Sequence, residues 1–119
     1  MPPESSPSVK ISYFPKENVW EAVQALARQL LREHQEICRI ILFGSLVRGD
    51  AVPGSDVDLL IILKGSNEPF LQRIVNYLPT QFPVGIDVFP YTETELKMML
   101  EQGNYFLQKA LKEGIEISH

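Results

Sequence analysis

Asp56-Val57-Asp58 opens an apolar run that reaches Leu63 and holds no other charge. On an extended strand, residues two apart point to the same side. The two carboxylates therefore project side by side, with Cα atoms roughly 6–7 Å apart. Carboxylates this close repel each other, and their ionisations split unless a cation sits between them. An all-oxygen donor set of this kind suits Mg²⁺ or Mn²⁺, which bind through one or two carboxylates together with substrate phosphates. As a bare Asp-x-Asp, the pair also reads as two solvated acids at the start of a strand.

A third acid, Asp87, stands inside "VGIDVF". On a strand Asp87 and Phe89 share one face, and Ile86 and Val88 share the other. An acid in an apolar strand must find a cation, a donor or the rim of the sheet. If this strand lies beside Asp56–Leu63, Asp87 completes a cluster of three carboxylates. Taken alone it reads as an acid at a sheet edge. Ahead of the aspartates stands Gly44-Ser45, at the end of another apolar run. Glycine allows unusual dihedrals and lets a phosphate approach the backbone. Ser45 offers a hydroxyl and an amide at the start of a helical turn, where anions bind, and Arg48 could reach the same phosphates. A Gly-Ser pair alone is equally a tight turn followed by a surface arginine. It is not a Walker A loop, because no lysine follows at the required spacing.

The elements that must hold these residues can be read from periodicity. "CRIILFG" predicts a strand buried on both faces, and "DVDLLIIL" a second, central one. Before them, Val19, Val23, Leu26 and Leu30 lie on one helical face, with Trp20, Ala27 and Leu31 beside it. Asn18 and Glu21 form a candidate capping box, and the helix should run to about Glu36. "SLVRGD" has room for one turn, and "AVPGS" is a loop by its Pro-Gly pair. Asn67 can cap a further helix, with Pro69 in its first turn and Phe70, Leu71, Ile74, Val75 and Leu78 as its inward stripe; Pro79 stops it. "VGIDVFP" is a third strand ended by Pro90. Thr92 and Glu95 form a second capping box, opening a helix through Leu100. Gly103-Asn104 interrupts, "YFLQKALKE" is the last helix with its stop at Gly114, and "IEIS" a short edge strand. This order predicts a small mixed α/β (α+β) domain whose sheet is covered by helices.

With 119 residues, one domain is expected: a flexible lead over 1–15 and the domain proper over 16–119. The net charge of −4 gives no broad basic footprint for nucleic acid or an anionic membrane surface. No apolar stretch is long enough to span a membrane, and "MPPESSPSV" lacks the parts of a signal peptide, so a cytoplasmic location is expected. The single cysteine, Cys38, is expected as a buried thiol. His34 is expected in solvent, Trp20 as a core or interface anchor, and Met98 and Met99 in core or partner packing.

Together, Gly44-Ser45, Asp56-Val57-Asp58 and Asp87 resemble the nucleotidyltransferase superfamily related to DNA polymerase β. Its signature is a Gly-Ser pair followed at this spacing by Asp-x-Asp. "GSLVRGDAVPGSDVDLLI" is similar to it throughout, Arg48-Gly49 and Ser55 included. Length and element order resemble the minimal nucleotidyltransferase subgroup, antitoxin-like proteins often paired with HEPN-domain toxins. The resemblance covers roughly Val19 to Ile117 and implies a polymerase-β-like core. It implies that Asp56 and Asp58 hold two Mg²⁺ ions, with Mn²⁺ as a substitute. Asp87 would ligate one of them and help deprotonate the attacking hydroxyl. Gly44 and Ser45 would hold the β- and γ-phosphates of ATP, with Arg48 and Ser55 at the same nucleotide.

The implied activity is transfer of AMP from ATP to a tyrosine of a HEPN-type toxin, the chain acting as antitoxin. The small size agrees, since a partner would then supply the acceptor surface. Two rivals stand beside it: a module that neutralises its partner by contact alone, and a small-molecule nucleotidyltransferase. The strand at Ile115–Ile117 and the Met98–Met99 helix could serve a homo-oligomer or a hetero-oligomer with the toxin.

Overall fold

The computed structural model describes residues 16–50 and 56–118. Among these residues four strands form one mixed sheet: β1 (Ile37–Phe43), β2 (Val57–Leu63), β3 (Ile86–Thr92) and β4 (Ile115–Glu116). Their spatial order is β3-β2-β1-β4. β1 runs antiparallel to β2 and β4, and β2 runs parallel to β3. Among the described residues five helices accompany the sheet: α1 (Lys16–Glu33), α2 (Ser45–Arg48), α3 (Phe70–Tyr77), α4 (Glu93–Glu101) and α5 (Tyr105–Glu113). The fold is mixed α/β, as the alternation of apolar runs and helical stripes predicts.

β2 is apolar on both faces because both faces are covered. Val57, Leu59, Ile61 and Leu63 join Ile40 and Leu42 in a core closed by Val23, Ala27 and Leu30 of α1. Leu60 and Ile62 join Ile41 and Phe43 in a second core, closed by Leu96 of α4 and by Leu107 and Ala110 of α5. Each fully buried aliphatic side chain of this kind contributes about 1.5–3 kcal/mol. By strand alternation Asp58 lies on the second face with Leu60 and Ile62, the face that α4 and α5 cover.

Several expectations about element ends are corrected. Asn18 lies inside α1 and not at its cap, and α1 ends at Glu33. Asn67 does not cap α3; Pro69 occupies that position, without a side-chain cap. β3 continues through Pro90 to Thr92. Because β3 is an edge strand, a residue without an N–H can sit within it and leave no ladder bond unmade. The expected lead over 1–15 lies outside the described residues.

The inward stripe of α3 is also different. Leu71 and Val75 are 75% and 65% exposed, while Arg73 and Tyr77 are buried. Arg73 can be buried because its donors are used. Its Nε donates to the Glu68 carbonyl at 2.9 Å, and Nη1 to the Pro90 carbonyl at 3.2 Å. Nη1 and Nη2 meet the two Glu95 carboxylate oxygens at 2.7 and 3.0 Å. Glu95 in turn completes the expected capping box with Thr92.

Two smaller corrections follow from packing. His34 is half-buried, its ring edge-on to Tyr77 at 4.9 Å and its Nδ1 3.3 Å from Glu36. Cys38 is half-buried rather than buried, and its partial burial pushes the thiol up. Met98 is exposed, whereas Met99 packs against the second core.

Candidate active site

The parallel pairing of β2 and β3 sets Asp58 directly beside Asp87. The antiparallel pairing of β1 and β2 sets Phe43 opposite Asp58, so Gly44 and Ser45 follow at the same end of the sheet. Asp56 stands one residue before β2, where the Val57 amide donates to the Gly85 carbonyl at 2.9 Å. The three aspartates and the Gly-Ser turn line one cavity of about 620 Å³.

Two glycines give the carboxylates their room. Gly44 has φ 91° and ψ −158°, a region essentially restricted to glycine. A Cβ built there would run into the Asp58 carboxylate. A Cβ on Gly85 would likewise run into the carboxylate of Asp56. Gly44 then starts the single turn of α2: its carbonyl accepts from the Val47 and Arg48 amides, both at 3.1 Å. Gly49, in the left-handed region, ends that turn.

The electrostatics of the cavity centre on Asp58. Partial burial, then the charge of Asp87, then that of Asp56 push its carboxyl up to about 6, with Arg48 opposing. This is the mutual repulsion expected of converging carboxylates, and it marks a place where positive charge is wanted. Arg48 lines the cavity but is already engaged. Its Nε lies 3.3 Å from Asp50 and its Nη1 3.7 Å from Glu113.

Among the described residues, no three His, Cys, Asp or Glu side chains converge closely enough to enclose a metal ion by themselves. The donor set nonetheless fits Mg²⁺. That ion keeps several waters and binds through one or two carboxylates plus substrate phosphates. Asp56, Asp58 and Asp87 offer oxygen ligands only, on one cavity, with Asp58 carrying the signature of unneutralised charge.

Of the expected site residues, the structure brings together Gly44, Ser45, Arg48, Asp56, Asp58 and Asp87; Ser55 lies outside the described residues. It adds a wall that the sequence reading left out: Tyr105, Phe106, Lys109 and Glu113 of α5. Their spacing is one helical face, which was visible in "YFLQKALKE". The direction that this face takes is a tertiary fact. Gly85, read in the sequence as part of the strand "VGIDVFP", stands just ahead of β3.

The family model described as a nucleotidyltransferase domain matches residues 23–116. Among solved structures, a Sulfolobus solfataricus protein assigned as a nucleotidyltransferase superposes with a TM-score of 0.56 at 18% identity. The match covers 70% of this chain and 75% of that one, and at such identity it is a likeness of fold. No curated protein matches the sequence.

Proposed function

The chain belongs to the nucleotidyltransferase domain family, and from that premise we propose that it is a Mg²⁺-dependent transferase moving AMP from ATP to a partner protein. The observation that carries this reading is that three carboxylates and a Gly-Ser turn line one cavity. The acceptor is a tyrosine of a HEPN-type toxin, and the chain acts as its antitoxin. The resemblance of length and element order to the minimal subgroup supports that choice of partner.

In this mechanism Gly44 and Ser45 receive the β- and γ-phosphates. The missing Cβ of Gly44 lets the chain pass close to Asp58, and the Ser45 hydroxyl and amide are donors at a helical turn. Asp56, Asp58 and Asp87 would hold the Mg²⁺ ions, or Mn²⁺ in their place; when bound, these supply charge neutralisation at the triphosphate. Asp87 takes the proton of the acceptor hydroxyl. The hydroxyl oxygen forms a bond to the α-phosphorus, and the bond to the β-phosphate oxygen breaks in line, releasing pyrophosphate. The remainder is positioning, which a rigid two-sided sheet supplies.

Incubation with ATP labelled at the α-phosphate, Mg²⁺ and the partner should label the partner. Asp58→Asn should abolish the labelling and leave the fold intact. Folded wild-type protein that labels no protein with any nucleotide would sink the proposal.

A further inference from the structure

Building on the nucleotidyltransferase reading, we propose that α5 is the nucleotide-reading wall of the site, with Lys109 holding the phosphate tail and Tyr105 stacking on the base. Tyr105, Lys109 and Glu113 are four residues apart, so they lie in a row on one face, about 6 Å apart along the axis. All three line the cavity.

The two ends of the row have different neighbours. At its far end Glu113 pairs with Arg48, the last residue of the turn that begins at Ser45. That end adjoins the phosphate-binding turn. At its near end Phe106 packs on Phe43 at 5.5 Å and on Phe89 at 5.2 Å. Phe89 lies two residues beyond Asp87 on β3 and Phe43 stands opposite Asp58, so this end adjoins the carboxylates. Lys109 lies between the two ends.

The two cations of the cavity differ in availability. Arg48 is paired with Asp50 and Glu113. Lys109 has no ion-pair or hydrogen-bond partner among the described residues. An ammonium left open in a cavity with four acids is suited to an incoming polyanion. At the other end Tyr105 is 71% exposed and Phe106 is 45% exposed. Phe106 is fixed from behind by two rings, and Tyr105 beside it presents an open aromatic surface. A base can stack there without sequence-specific hydrogen bonds.

Two probes separate the two roles. The intact protein, with Mg²⁺, is titrated by calorimetry with ATP and with inorganic pyrophosphate, which has no base. Lys109→Gln should weaken both probes on the order of tenfold, and Lys109→Arg should restore most of that loss. Tyr105→Ala should weaken ATP on the order of tenfold and leave pyrophosphate unchanged, while Tyr105→Phe should bind both as wild type does. Both side chains are exposed, so thermal melts should match wild type.

The inference is overturned if Lys109→Gln binds both probes normally. It is also overturned if Tyr105→Ala weakens both probes equally, or weakens neither while transfer falls, which would give the ring to the acceptor. Wild-type protein that binds both probes in this pattern but transfers nothing would end the transferase reading and leave the assignment of α5 standing.

Discussion

Asp58 is held in a place that disfavours its charge. Its carboxyl is pushed up to about 6 by burial first and by its acidic neighbours next. A carboxyl whose folded pKa lies above its unfolded value binds its proton more tightly in the folded state. Well below pH 4 both states are protonated and the effect vanishes. As the pH rises towards 6 the unfolded state ionises first, so stability falls, and the deficit persists above 6. With Asp58 half exposed and partly screened, the deficit should be about 1 kcal/mol. In chelator, Asp58→Asn should therefore be more stable than wild type at pH 7 and equal to it near pH 3. Paired urea unfolding curves at the two pH values measure this; equal stability at pH 7 would contradict it. The same crowding makes Gly44 irreplaceable. Gly44→Ala should lose transfer and about 1–3 kcal/mol of stability, from its φ of 91° and from the collision with Asp58. A denaturation curve alongside the labelling assay checks both.

At the scale of elements, the Arg73–Glu95 pair fastens α3 to the start of α4 across Pro90 of β3. The Arg73 hydrogen bonds hold the Glu95 carboxyl down to about 2. Its contribution to stability is present above the unfolded value, near pH 4.5, and is lost as the pH falls towards 2. Glu95→Gln leaves a buried guanidinium without its counter-charge and should cost about 3 kcal/mol. Arg73→Met should cost less, because the half-exposed Glu95 can turn to water. Chemical denaturation of the two variants tests the asymmetry, and the reverse order would refute it.

Arg73 also shows where the sequence could be read and where it could not. The Thr92–Glu95 box was legible because capping is local chemistry. The stripe of α3 was misread because a buried arginine does not count as inward-facing until its partners are known, and those partners lie on β3 and α4. Asp-x-Asp and Gly-Ser were legible as adjacent residues with a shared spacing. That Asp87 would sit beside Asp58 depended on which strand lies next to β2. Lys109 and Tyr105 carried no motif at all, and only the packing of α5 brings them to the site.

For the molecule as a whole, no described helix is long and apolar enough to cross a membrane. The net charge of −4 leaves the surface without a general attraction for phosphates. Nucleotide binding must then be local to the cavity and dependent on added positive charge. Saturating Mg²⁺ and ATP together, at about 100 times Kd, should raise stability by about 2.7 kcal/mol. ATP in chelator should raise it far less, and Asp58→Asn should lose most of the gain. Thermal shifts under these conditions decide the matter; an equal shift with and without metal would contradict it.

The register that sets Asp58 beside Asp87 has a kinetic corollary. A parallel pair cannot close through a tight turn: here the chain must first lay down α3 between its two strands. Such non-local pairings form slowly, because loop closure comes before the contacts that reward it. The contact between the two carboxylates therefore waits on closure of a long loop. In a refolding experiment the ability to bind nucleotide should emerge with the last phase, after helical signal has recovered, so that newly made protein stays inert until its sheet is complete.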